Sequence, residues 1–262
     1  MMTVPELIKT AKKAGVMFKN ELAILDPVIP PPKVTIFPAG IHNFYPDSRT
    51  KNTKVEIQAA GGSGGMTGWS TVSNFCSAMS GANGGNFFSF LITSKLSTSA
   101  IRVVVGQLTL AYPGNASNGR TGVSSEFGTM IIAGGVGART TTGTWTSLIY
   151  RALAQSGNTL NSPSFSYKVL KEVKGGRGGV PYVPYHDQKG FIKGGDGGTS
   201  QWSTMSRSNA AIYSGYRTTF TSINEDGSGY GYGGCGISCG GSQGHAGNSG
   251  GEGLTIITEY LG

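Results

Sequence analysis

Three groups of residues have types and spacing that could do chemistry. Gly231-Tyr232-Gly233-Gly234-Cys235-Gly236 spells the glycine pattern of a dinucleotide-binding turn, whose backbone N–H groups cradle a pyrophosphate. That chemistry requires a helix or a βαβ unit to follow, and nothing after Gly236 has a helical pattern. Cys235 and Cys239, with His245 beyond them, are donor types that hold zinc, but a closed structural site takes four ligands and no fourth is evident. His42 and His186 stand isolated, and no Gly-x-Ser-x-Gly elbow occurs in a strand-to-helix context, so a nucleophile triad has no support. A paired-carboxylate glycosidase needs no local motif, and 13 acids leave a polysaccharide depolymerase open as a third hypothesis. The expectation is a protein that is not an enzyme, with no cofactor and no metal.

Binding is better represented than catalysis. Trp69, Phe75, Trp145, Tyr182, Tyr185, His186, Phe191, Trp202, Tyr213 and Tyr216 lie between glycine runs. Aromatic loops on a rigid scaffold offer large contact area at low entropic cost. Half or more of these rings can simply pack in a small core, and Trp69 and Trp145 are expected to do so. Segment 180–191 is the strongest candidate for exposure, since it holds two Pro and is bracketed by glycine runs. The loop candidates for a receptor are therefore Tyr182, Tyr185, His186, Phe191, Trp202, Tyr213 and Tyr216.

A scaffold for such loops is visible in the glycines. They number 44 of 262 residues, about 17% against a usual share of roughly 7%. Gly241, Gly244, Gly247, Gly250 and Gly253 recur every third position. A polyproline-II helix has three residues per turn, so this stretch would run about 40 Å with one face of bare backbone, against which other helices could hydrogen-bond. Gly62, Gly65 and Gly68, Gly81 and Gly84, Gly134 and Gly137, and the runs at 175–179 and 194–198 are further pieces. Collagen is excluded by the scarcity of Pro and by the interruptions. Between the runs, Lys33 to Phe37, Lys54 to Ala59, Ile101 to Val105 and Leu254 to Ile257 read as strands. The expected fold is mainly β with glycine-rich polyproline-II-type helices, one short N-terminal α-helix and few others.

That helix begins at Thr3-Val4-Pro5-Glu6, with a Thr cap and Pro in the first turn. Its apolar face, Val4, Leu7, Ile8, Ala11, Phe18 and Leu22, could pack on its own domain or on a partner. Pro27 and Pro30-Pro31-Pro32 then form a spacer, dividing the chain into 1–32 and 33–262. The net charge of +8 is unevenly spread. Residues 168–193 carry Lys168, Lys171, Lys174, Arg177, Lys189 and Lys193 against Glu172 and Asp187, while four acids and no Lys or Arg follow from Glu225. Such segregation means that the two segments face different surroundings or each other, and it weakens a nucleic-acid reading. Three cysteines are too few and too odd in number for a disulfide framework and fit a reducing compartment. No signal peptide and no 18-residue apolar stretch is present, so no membrane insertion is expected.

Phe37-Pro38-Ala39-Gly40, the strand Val55 to Ala60 running into Gly61-Gly62-Ser63-Gly64-Gly65, Val103-Val104-Val105-Gly106, Ser125-Glu126-Phe127-Gly128 leading to Gly137, and the close Asn248-Ser249-Gly250-Gly251-Glu252-Gly253-Leu254 through Glu259-Tyr260 share an order and spacing. In these residues the chain resembles the glycine-rich domain at the distal ends of phage tail fibres and related adhesins, over about residues 34–262. The glycine runs here are shorter and more interrupted than in many members. The resemblance implies a virion protein made in the host bacterial cytoplasm, displayed on a distal tail fibre or spike. Its loops would contact a bacterial surface receptor, an outer-membrane protein or glycan, and residues 1–32 would contact other virion or tail-fibre proteins. Trimeric fibres imply a homotrimer or one copy capping a trimer. The alternative is a virion structural protein, a capsid spike, vertex or tail-assembly component without receptor contact.

Overall fold

Val55 and Ile57 of one strand, Phe88, Phe90 and Ile92 of its neighbour and Ile257 of a third are all fully buried. Recurrence at every second residue is what a pleated strand with one face on a core requires. The computed structural model describes residues 30–65, 75–111, 118–144, 154–182, 189–214, 217–220, 223–240 and 246–262. Among these the chain is mainly β, antiparallel throughout, with no helix. The expected N-terminal helix, Trp69 and Trp145 lie outside the described residues.

In chain order the strands are β1 Lys33–Phe37, β2 Gly40–Phe44, β3 Thr50–Gln58, β4 Phe75–Met79, β5 Phe87–Ile92, β6 Ile101–Val105, β7 Ser125–Phe127, β8 Met130–Ile132 and β9 Thr140–Thr144. They continue as β10 Thr159–Leu160, β11 Tyr167–Val173, β12 Lys189–Lys193, β13 Trp202–Ser203, β14 Ala210–Ser214, β15 Arg217–Phe220, β16 Gly229–Tyr230, β17 Ser238–Gly240 and β18 Leu254–Leu261. Sheet β1-β18-β3-β5-β11 faces sheet β10-β8-β7-β6-β2. Phe44, Val103, Val105, Phe127, Met130 and Ile132 of the second sheet close one core with the inward residues of the first, making a β-sandwich. The chain changes sheets at Phe37-Pro38-Ala39-Gly40. Gly40 has φ +139°, a backbone that side chains disfavour, and His42 Nε2 hydrogen-bonds Pro38 O at 2.8 Å across this corner.

Where the strands leave the sandwich, a beat of two becomes a beat of three. Along 59–64, successive backbone N–H groups donate to Asn86, Val123, Gly251, Asn83, Arg120 and Asn248 carbonyls. Residues three apart thus reach the same neighbouring segment. Along 79–86 the pattern repeats with three other neighbours. Met79, Ala82 and Gly85 donate to Ile237, Gly234 and Gly231; Ser80, Asn83 and Asn86 donate to Arg139, Val136 and Ala133; Gly81 and Gly84 donate to Gly179 and Gly176. A strand ladder serves two sides, whereas these segments are bonded on three and accept bonds from further ones. Backbones approach so closely that a Cβ on Gly81 would land on the Asp196 carbonyl.

Side-chain amides keep the same beat. Asn83 and Asn86 Oδ1 accept from Gly178 N at 3.1 Å and Gly175 N at 3.0 Å. At the junction with the sandwich, Gln58 Nε2 donates to the carbonyls of Ala59, Gly85 and Asn86. Ser125 Oγ accepts from Gly106 N and donates to Gln58 O. The amides of Gly106, Gly175 and Gly178, which donate to no backbone carbonyl among the described residues, are satisfied in this way. Segment 80–86 joins β4 to β5 and 133–139 joins β8 to β9. The glycine layer therefore connects the sandwich to two three-stranded sheets at its far end, β17-β4-β9 and β12-β14-β15.

Candidate functional site

The far-end sheets gather part of the expected binding residues. Tyr182 is 57% exposed, and its backbone pairs with Lys193 through bonds of 2.8 and 2.9 Å, extending the edge of β12. Phe191 and Tyr213 were expected in loops and instead lie on strands. Phe191 sits in β12 opposite Ile212, and Tyr213 in β14 opposite Gly190. Glycine and serine around them read as loop, but both strands are held by cross-strand pairing. Ile212 itself, not singled out by sequence, is 48% exposed; its neighbours in an Ala-Ala-Ile-Tyr-Ser run signal a strand without saying which face stays open. Tyr185, His186 and Tyr216 lie outside the described residues; among those described, Tyr182 and Ile212 are exposed large side chains that the fold brings to this end beside β12.

Trp202 is placed differently. It pairs with Tyr230 in the two-stranded sheet β13-β16, and its ring meets Phe87 edge-on at a centroid distance of 4.9 Å. Phe87 is almost wholly buried, so Trp202 clamps this two-stranded sheet onto the root of β5 and is half-buried by doing so. Of the C-terminal glycines, Gly247, Gly250 and Gly253 donate to Gly65, Thr109 and Gly106 carbonyls, while Gly241 and Gly244 lie outside the described residues.

The 231–236 run resolves into packing. In the 231–236 run, the N–H groups of Gly231, Gly233, Gly234 and Gly236 donate to the carbonyls of Glu252, Gly198, Gly62 and Gly195. Those donors are spent within the protein, and strand β17 follows. Cys235 is a free, buried thiol whose ionisation burial pushes up to about 12. Cys239 lies in β17 opposite Ser77, and His245 is outside the described residues. Among the described residues no three His, Cys, Asp or Glu gather into a group that could hold a metal. Two acids do share a neighbour. The Tyr232 ring is packed against the backbones of Gly227 and Gly251, and burial first, then the charges of Asp226 and Glu252, raise its phenol above the ordinary value.

The thiol gives a direct expectation. Iodoacetamide at pH 8 should leave Cys235 unmodified in the native chain and label it fully in guanidinium, as read by peptide mass spectrometry. Because its folded value is raised, the associated stability is complete below the ordinary thiol range near pH 8.5 and is lost as pH rises towards about 12. Cys235→Ser should flatten the fall of the urea midpoint between pH 8.5 and 11; an equal fall in that variant would mean that another group controls it.

A β-sandwich continued into a glycine layer of three-way backbone bonding, capped by small sheets with an exposed Tyr and Ile, is a scaffold that presents a surface. No protein-family model and no curated protein matches the chain.

Proposed function

We propose that this protein is the receptor-binding tip of a bacteriophage tail fibre, joined to the virion through residues 1–32 and meeting the bacterial surface with the residues beyond the glycine layer. One observation carries this reading: the three-residue recurrence of backbone donors along 59–64 and 79–86. We read those segments, with 133–138, 175–179, 194–198, 231–236 and 247–253, as packed polyproline-II-type helices, since three residues per turn aim every third N–H at one neighbour. Such a bundle is rigid despite its glycine content, because its backbone groups are bonded between segments. Loops on it are held in place at little entropic cost, which favours binding. The receptor is an outer-membrane protein or a glycan, and multivalent display lets weak single contacts suffice.

The test is saturable binding of the purified full chain to susceptible bacteria. Tyr182→Ala with Ile212→Ser should weaken it at least about tenfold, or about 1.4 kcal/mol, with the melting curve unchanged. Trp202→Ala should instead lower the melting temperature. A folded wild-type chain that binds no susceptible strain would overturn the adhesin reading.

A second reading, a virion structural component, is favoured by β1. This edge strand exposes Val34 at 56% and Ile36 at 60%, and between Lys33 and Phe37 it carries no charge. The opposite edge, β11, is protected by Lys168, Lys171, Glu172 and a bulge, the usual defences against strand addition. Under the adhesin reading the same surface serves attachment to other virion proteins.

A further inference from the structure

Lys168, Lys171, Lys174 and Arg177 recur at every third position, and all four are exposed. The spacing crosses from strand to glycine segment. In β11 the bulge between Val169 and Lys171 lets Lys168 pair with Leu91 and Lys171 with Ser89. Leu91 and Ser89 alternate with buried Phe88, Phe90 and Ile92, so both lysines stand on the outer face of the sheet in spite of their odd separation. Beyond β11 the beat of three takes over. Gly175 and Gly178 donate to Asn86 and Asn83, and Gly176 and Gly179 donate to Thr199 and Asp196. Two sides of this segment are used, and Lys174 and Arg177 occupy the third.

The acids that might neutralise the row are engaged elsewhere. Glu172 is in register with Phe88, on the other face, and accepts from Asn158. Glu225 pairs with Arg207, Asp226 accepts from Asn248 and Glu259 pairs with Lys33. Among the described residues, no ion pair reaches any of the four cations. Because β11 is the last strand of its sheet, the row runs along an edge of the molecule for roughly 25 Å at extended-chain rise.

We propose that this edge is a binding track for a linear anionic polysaccharide, a site separate from the far end and independent of its reading. Cations spaced roughly 7 Å apart across the bulge and roughly 9 Å beyond it suit an extended chain bearing a carboxylate on each sugar or every second one. Val169, Leu170, Glu172, Val173 and glycines lie between the cations in sequence, and Phe87, opposite Val173, is covered by Trp202; with no aromatic residue in the row itself to stack successive bases, a glycan is favoured over single-stranded nucleic acid.

The probe is an oligogalacturonate of defined length, titrated calorimetrically into the full chain across a range of salt. Binding should weaken with salt, and Lys171→Gln with Lys174→Gln should lower affinity at least about tenfold and reduce the salt slope by roughly two, one per cation removed. Lys51→Gln with Arg102→Gln, both exposed and with Arg102 in β6 of the opposite sheet, should leave affinity within about twofold, with all melting curves alike. An equal loss in that control pair would reduce the effect to net charge and overturn the track. So would the absence of binding, or equal affinity for single-stranded DNA of matched charge. No cells enter this measurement, so its failure is distinct from failure of adhesion at the far end.

Discussion

Gly81→Ala is expected to destabilise the protein by about 3 kcal/mol or more, at the top of the range for overpacked sites. Its Cβ would meet the Asp196 carbonyl and the Gly197 amide, which are backbone and cannot rotate away. Gly81 also donates to Gly179 O, and Gly195, next to Asp196, donates to Met79 O. Forcing the two segments apart thus breaks bonds on more than one side, and each buried group left unpaired adds its own cost. Gly157→Ala is the matched control, since nothing lies within 4 Å of a Cβ there. It should be neutral or stabilising by up to about 1 kcal/mol through the unfolded chain. Urea midpoints of the two variants decide the matter; similar values would mean that the glycines are not needed for close approach.

Glu259→Ala should cost about 3 kcal/mol. Residues Thr255, Ile257 and Glu259 alternate inward along β18, and Glu259 is fully buried. Its Oε1 accepts from Asp47 N at 2.7 Å and Thr50 Oγ1 at 2.8 Å. Its Oε2 lies 3.2 Å from Lys33 Nζ, and Lys33 is its partner in the β1–β18 register. Alanine would strand two donors inside the sandwich and remove the charge that holds β1 and the 47–50 turn. Glu259→Gln keeps an acceptor for Asp47 and Thr50 and should cost about half as much. Lys33→Gln should cost under about 1 kcal/mol, because the lysine is half-exposed and its charge is screened. The order Ala, Gln, then Lys33→Gln is checked by thermal melts; a lysine variant as costly as Glu259→Ala would show that the ion pair, and not the pair of accepted bonds, holds this corner.

Sequence reasoning reached β1, β3, β6 and β18 because β-branched residues alternate there with polar ones, and it reached the glycine layer because every third position from Gly241 is bare. It missed β2, where Gly, His and Asn are poor strand formers and the pairing with β6 comes from the Gly40 corner. It took Phe191 and Tyr213 for loop residues, since the glycines and serines near them look like turns. Asn83 and Asn86 were invisible for a related reason. Asn next to Gly signals a turn, yet here the amide takes the place of a missing backbone carbonyl. Spacing alone also left open what the basic segment faces, because only the bulge in β11 shows that Lys168 and Lys171 share a side. Of the loop candidates, Tyr182 was legible as exposed, from the two prolines around it. Trp202 was not legible as half-buried, since Phe87 lies more than a hundred positions away.

β18 lies between β1 and β3, and the segment leading into it bonds to Gly61 and Gly64 in the glycine layer. Early and late parts of the chain are thus neighbours in both layers. A nascent chain still held at residue 240 has β1 without a partner and the 59–65 stretch without one of its three sides. Folding of both layers must then wait until β18 has been made, and chains truncated before Leu254 should be insoluble.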